Sequence, residues 1–156
     1  MPEPTFLLDG MLGSLARWLR IMGYDSVYRK DLADGDMLNM LGERSLLTRD
    51  KQLAQRAGPR GFYLESDDLD LQLSAVAERF GLRPDPERTR CTACNGELEK
   101  AAKDEIRDEV GEGTWNGHQD FWRCRECGKV YWQGAHWKNI RRRLEAFSTG
   151  PGSSPR

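Results

Sequence analysis

Along the first eighty residues, short apolar runs take turns with stretches of helical spacing. Phe6-Leu7-Leu8 is too short for a helix and unbroken enough for a strand buried on both faces. Leu12, Leu15, Ala16, Leu19 and Met22 then recur every three or four residues, and Gly23 ends the pattern. Ser26-Val27-Tyr28 reads as a weaker second strand, and Asp36 to Leu41 as a helix with Met37, Leu38 and Leu41 on one side. Ser45-Leu46-Leu47-Thr48 reads as a strand and Asp50 to Ala57 as the helix after it. Gly61-Phe62-Tyr63-Leu64 is a fourth strand, and a last helix carries Leu69, Leu73, Val76 and Phe80 on one face. Strands alternating with helices predict βαβ units, so a three-layer α/β unit with a mostly parallel central sheet is expected over residues 5–82.

The pattern then breaks. Leu82-Arg83-Pro84-Asp85-Pro86-Glu87 has two prolines in three positions and cannot prolong a helix. The expected organisation is an α/β domain over residues 1–83, a linker over 84–90, a cysteine-bearing module with a basic helix over 91–147, and a disordered tail over 148–156. The basic helix is expected from His136 to Phe147.

Composition narrows the classes little, because the formal charge is −1. No apolar run approaches the roughly 18 residues of a membrane span, so no membrane partner is expected. MPEPTFLLDG has neither a basic start nor a long apolar stretch, so no secretory leader is expected and cytoplasmic location is the default. Oligomeric state leaves no mark in the pattern.

Aspartates stand where the apolar runs end. In a parallel α/β sheet, ligands sit beyond the carboxyl ends of the strands. Asp9 follows the first strand directly, and Asp50 comes two residues after the strand ending at Thr48. Asp36 opens the helix between them, with Asp31 and Asp34 nearby, and Asp67, Asp68 and Asp70 follow the fourth strand. Gathered carboxylates repel one another and raise each other's pKa, a penalty that a divalent cation removes. Mg²⁺ or Mn²⁺ prefers such oxygen ligands, activates water and stabilises charge on a phosphoryl oxygen. Asp36 and Asp50 also suit helix N-caps, whereas Asp9, followed by Gly10, is the acid that capping explains least. Thr48 is placed to hydrogen-bond a carboxylate or phosphate, and Arg49 to hold a phosphate. Ser14, early in the first helix, approaches the same edge, and Arg17 and Arg20 lie off its apolar stripe, available to backbone phosphates or to solvent.

The four cysteines form two CxxC pairs, Cys91-Thr-Ala-Cys94 and Cys124-Arg-Glu-Cys127, with 29 residues between them. Four thiolates in two such knuckles predict a closed tetrahedral structural Zn²⁺ site. Asn95-Gly96 and Gly128 follow the pairs and suit the turn a knuckle needs. The acidic stretch between the pairs, with Glu105, Asp108, Glu109 and Glu112, reads as an exposed excursion. The module is rich in aromatics: Trp115, Phe121, Trp122, Tyr131, Trp132 and Trp137. Rings interleaved with Lys129, Lys138, Arg141, Arg142 and Arg143 suit single-stranded nucleic acid; alternatively the rings form the module's core or its seam with the α/β unit. His118 and His136 are not needed as zinc ligands.

Taken in order, LLDGMLGSLARWLRIMGYD, DGDML, LLTRD and RCTACNGEL…FWRCRECGKVYWQGAHW resemble the Mut-seven-C ribonuclease family from about Phe6 to Leu144. The resemblance implies a PIN-like nuclease domain carrying a C-terminal zinc ribbon, and divalent-metal-dependent cleavage of RNA. Carried onto this chain, its acid positions are Asp9, Asp36 and Asp50, with Asp67 or Asp68 as a fourth, and its ribbon ligands are the four cysteines. The alternative function is a non-catalytic RNA- or ribosome-associated binding module. A receiver domain or a haloacid-dehalogenase-type phosphatase fits poorly, because Gly10 and Met11 stand where those sites need a second acid.

Overall fold

A computed structural model describes residues 3–134 and 137–148. The first unit runs β1 (Phe6–Leu8), α1 (Gly13–Ile21), β2 (Ser26–Tyr28), α2 (Asp34–Met40), β3 (Ser45–Thr48), α3 (Lys51–Arg56), β4 (Gly61–Tyr63) and α4 (Leu69–Phe80). All strand pairs are parallel, in the order β2-β1-β3-β4. Alternate residues of the central strands supply two different cores. Phe6, Leu8 and Leu47 pack with Leu12, Leu15 and Leu19 of α1 and with Leu73 and Val76 of α4. Leu7 and Leu46 pack on the other face, with Met37 and Leu41 from the α2 segment and Leu53 of α3. The three-layer expectation holds, and β1 and β3 are neighbours in register, Leu8 beside Leu47. The boundaries differ slightly from the pattern. α2 begins at Asp34, two residues early, and Asp50 caps α3 from outside it.

The second unit is an antiparallel sheet, β5 (Leu98–Ala101), β6 (Phe121–Cys124) and β7 (Val130–Trp132), followed by α6 (Trp137–Ser148). The acidic excursion between β5 and β6 exposes Glu105, Asp108, Glu109 and Glu112, as expected, but it is also part of the ribbon's core. It folds as a 3₁₀ turn (Lys103–Glu109) and α5 (Glu112–Gly117), and its Ile106 is fully buried against Ala101 and Phe121. The Trp115 indole N–H donates to the Lys103 carbonyl (2.9 Å), which fastens the excursion to the strand end. Its acids face water while Ile106, Val110 and the Trp115 indole close the module's small core.

The linker is tied to the first unit. The Asp85 amide donates to the Met22 carbonyl (3.1 Å), the Thr89 hydroxyl to the Ile21 carbonyl (2.7 Å), and the Arg90 amide to the Arg20 carbonyl (2.8 Å). These bonds consume carbonyls that the end of α1 leaves without intrahelical partners. Arg20 completes the seam. It is buried, and its Nε donates to the Ser26 carbonyl (2.9 Å) and its Nη1 to the Thr92 carbonyl inside the first knuckle (2.8 Å). The expectation that Arg20 meets solvent or phosphate is therefore corrected: its guanidinium joins the two units. α6 returns over the α/β unit, with Ile140 packed on the α1–α4 core and the Arg143 guanidinium 4.8 Å over the Trp18 ring and paired with Asp70.

Candidate functional site

Asp9 leaves the carboxyl end of β1 and Asp50 lies just beyond that of the neighbouring β3, so both reach the same edge of the sheet. The turn after Asp9 requires glycine, since a Cβ at Gly10 would lie 2.5 Å from the Lys30 carbonyl oxygen. The Tyr28 hydroxyl holds that turn by donating to the Gly10 carbonyl (2.7 Å). Thr48, fully buried at the end of β3, donates its hydroxyl to Asp9 Oδ2 (2.5 Å) and accepts from the Asp50 amide (2.9 Å). With its acceptor side occupied, the hydroxyl proton has one direction, toward Asp9. Thr48 thus acts on a carboxylate, as one of the two alternatives held, and its burial corrects the expectation of direct contact with substrate. The other Asp9 oxygen, Oδ1, is buried and has no hydrogen-bond partner among the described residues. Such an atom is ordinarily served by a water or a cation in a folded protein.

The remaining acids are less committed. Asp50 Oδ1 accepts from the Gln52 and Leu53 amides (2.9 and 3.1 Å), so this residue caps α3. Asp36 is exposed in the first turn of α2, and Asp67 is exposed before α4, where Asp68 is the N-cap. Among the described residues, no three carboxylates have oxygens within 4.8 Å of one another; the cysteines alone form such a group. Arg49 donates through Nη2 to the Glu65 carbonyl (2.9 Å), which ties it across to the end of β4, while its buried Nε lacks a partner among the described residues. Ser14 and Arg17 are exposed on α1, and Arg141 and Arg142 on α6. The Lys138 side chain and His136 lie outside the described residues.

The cysteine centre is compact. Cys91 and Cys127 have sulfurs 3.7 Å apart, Cys94 and Cys124 3.4 Å apart, and all four lie within 4.8 Å of one another. A zinc tetrahedron with bonds of about 2.3 Å has sulfur–sulfur edges of about 3.8 Å, so the donor set fits a single ion of that kind. Both knuckles end on a left-handed residue, Asn95 (φ 73°) and Gly128 (φ 80°), as the sequence implied. Knuckle amides of Glu126 and Cys127 donate to Cys124 Sγ at 3.3 and 3.4 Å. The charge distribution suits a cation. Burial pushes the Cys91 thiol up, but the Tyr131 hydroxyl (2.9 Å) and the amides of Cys94 and Ala93 outweigh it and hold the thiol at about 6. Desolvation and the neighbouring sulfurs push Cys94 up to about 12. The Cys91 thiolate forms readily and Cys94 resists ionising beside it, a conflict that a bound divalent ion resolves.

Sequence reasoning missed the role of Asn95. Its Oδ1 accepts from the Ser26 amide (2.9 Å) and its Nδ2 donates to Asp25 Oδ1 (2.7 Å). Asp25 also pairs in bidentate fashion with Arg44 (2.9 and 3.2 Å). The available signal was asparagine, a residue with a polar side chain, at a left-handed knuckle position where glycine suffices. Asn95→Ala leaves the buried Ser26 amide unpaired and forces a Cβ-bearing residue without a local polar group to keep φ positive. It is expected to cost about 2–4 kcal/mol, and Asn95→Gly less, as measured by chemical denaturation. Asp25 supplies a pH dependence. Burial raises its pKa, but hydrogen bonds from Arg44 and Asn95 prevail and lower it overall. A depressed folded pKa contributes stability that is present above the ordinary aspartate value of about 3.9 and is lost as pH falls through the folded value. Asp25→Asn is expected to flatten that acid limb in melts recorded from pH 6 downward.

A parallel α/β sheet with acids at its carboxyl edge, joined to a four-cysteine cluster that can hold a metal ion, defines the class: an α/β protein with a ribbon compatible with zinc. More particularly, the chain matches the Mut7-C RNAse domain over residues 4–144, nearly its whole length, and it belongs to that family. No curated protein and no solved structure matches it. Among the described residues, no helix is long and apolar enough to cross a membrane.

Proposed function

We propose that this protein is a divalent-cation-dependent ribonuclease that hydrolyses phosphodiester bonds of single-stranded RNA. One observation carries the reading: in a chain of an RNase family, Asp9 Oδ1 is buried without a partner among the described residues at the carboxyl edge of the sheet. Mg²⁺ or Mn²⁺ held there would supply charge for a phosphoryl oxygen and acidity for the attacking water. Asp9 is the central ligand, fixed by Thr48. Asp50 joins it through the carboxylate oxygen that capping leaves free, Asp36 contributes from the start of α2, and Asp67 is the fourth acid. Arg49, Ser14 and Arg17 border the edge and meet RNA phosphates, with Lys138, Arg141 and Arg142 extending the track along α6. The four cysteines hold a structural zinc. In this reading residues 1–83 are the PIN-like nuclease domain, residues 91–147 the ribbon with its helix, and the protein works in the cytoplasm.

Water rather than the ribose 2′-hydroxyl is the nucleophile, so products carry 5′-phosphate and 3′-hydroxyl ends. The test is incubation of the zinc-loaded protein with an end-labelled single-stranded RNA and Mn²⁺ or Mg²⁺, followed by end-group analysis. Cleavage with either ion, absent without it, is expected; 2′,3′-cyclic ends or no cleavage would overturn the proposal. A non-catalytic RNA-binding reading draws on the exposure of Asp36 and the absence of a close trio of carboxylates among the described residues. In the same assay it predicts RNA that is bound and not cut.

A further inference from the structure

The ribbon sheet has one face that no part of the α/β site uses. The residues Lys100, Trp122 and Tyr131 stand directly opposite one another across β5, β6 and β7 and share a face. With Leu98, Trp132 and the linker residue Thr89 they line an open cleft of about 370 Å³. Its aromatic surface is not core. Phe121 is fully buried, but Trp122 is half-buried and Trp132 is 37% exposed. The Tyr131 ring is held in place, because its hydroxyl bonds Cys91 Sγ (2.9 Å) and accepts from the Thr92 amide (3.1 Å). Cations cover the rings: Lys100 Nζ lies 4.9 Å from the Trp122 centroid and Lys129 Nζ 5.2 Å from that of Tyr131.

We propose that this cleft is an anchoring site for unpaired bases of single-stranded RNA, separate from the acid edge. Ring faces accept any base by stacking, and the lysine stems swing off them to meet the phosphates on either side. The location gives the site its use. The ribbon docks through Asn95 onto Ser26, which is level with Phe6 at the amino end of the strands, opposite to Asp9. α6 leads back from the ribbon to Asp70, at the start of α4 on the acid side, with Arg141 and Arg142 exposed along it. A strand stacked in the cleft can therefore follow α6 toward the carboxylates. The inference depends on the ribonuclease reading only for its choice of RNA as occupant.

The test measures binding of labelled oligouridylate by anisotropy in the full-length Asp9→Asn protein, loaded with zinc and without Mg²⁺ or Mn²⁺, so that affinity is read apart from cleavage. Trp122→Leu and Lys100→Glu are each expected to weaken binding about tenfold, while Trp122→Tyr and Lys100→Arg restore it. Lys100 is exposed, so its variants fold even if Trp122→Leu does not. An oligomer of the same length without bases should bind more weakly than oligouridylate and be insensitive to Trp122→Leu. Unchanged affinity in Lys100→Glu, equal binding of the base-free oligomer, or a changed oligomeric state with unchanged RNA affinity would overturn the proposal. Loss of binding in these variants beside an inactive wild type would sink the nuclease reading and leave the anchoring site standing.

Discussion

Asp9→Asn is expected to abolish RNA cleavage, lowering the rate by at least about a hundredfold, without lowering stability. The two halves of this expectation come from the same atom. Among the described residues Asp9 Oδ1 is buried and unpaired, and the carboxylate's other oxygen accepts from Thr48. A buried oxygen with no donor costs about 1–3 kcal/mol, and more when charged. Asparagine keeps the shape and an oxygen for Thr48 while removing the charge, so the melting temperature should hold or rise. The same change removes the ligand through which a hard cation would be held. A residue kept for packing would behave oppositely, losing stability when altered. Thr48→Val adds a graded control: it removes the hydroxyl that orients the carboxylate and should slow cleavage by about 10–100-fold without removing a ligand. Cleavage kinetics and thermal melts on the same preparations decide the matter. Equal cleavage by Asp9→Asn and wild type places the site elsewhere.

What the sequence made legible follows the range of the forces involved. β1, β3 and the helices after them were readable because each buries a contiguous apolar run, and Asp9 and Asp50 could be assigned to one edge once those strands were taken as neighbours. The knuckles were readable because four thiols and two left-handed positions are local requirements. Arg20 was not. On a helical projection it lies off the apolar stripe, and its guanidinium is held by the Ser26 carbonyl at the start of the next strand and by the Thr92 carbonyl, 72 residues away. Ile106 was hidden for a related reason: two aliphatics, Ile106 and Val110, in an otherwise acidic stretch are too few to set a pattern, and the partners Ala101 and Phe121 come from two different strands. Whether Trp122 and Trp132 belong to the core or to an exposed face depends on which side of the ribbon sheet receives the excursion, which pattern alone does not state.

Cys124→Ser is expected to empty the metal centre, unfold the ribbon and loosen the first unit at a point remote from its acids. The ribbon's own core is a small one, Ala101, Ile106 and Phe121 with Val110, Trp115 and Val130 beside them. So few apolar groups cannot offset the chain entropy of a module this size, whereas a structural zinc contributes on the order of 10–16 kcal/mol of apparent binding free energy. Serine preserves the volume and removes the thiolate, so the loss is one of ligation. The first knuckle is also where the units join: Thr92 accepts from Arg20 and Asn95 accepts from the Ser26 amide. When the knuckle opens, the Ser26 amide loses Asn95 and the Arg20 guanidinium keeps only the Ser26 carbonyl, while Leu7, Leu8 and Leu47 keep their partners in the sheet and its two cores. Hydrogen exchange read by mass spectrometry should therefore show loss of protection across residues 91–132, faster exchange at the start of β2, and little change in β1 and β3. Metal analysis should fall from one zinc per chain to none. Unaltered protection at Ser26 in a zinc-free protein would mean that the seam stands without the knuckle, and protection lost throughout the parallel sheet would mean that the two units fold as one.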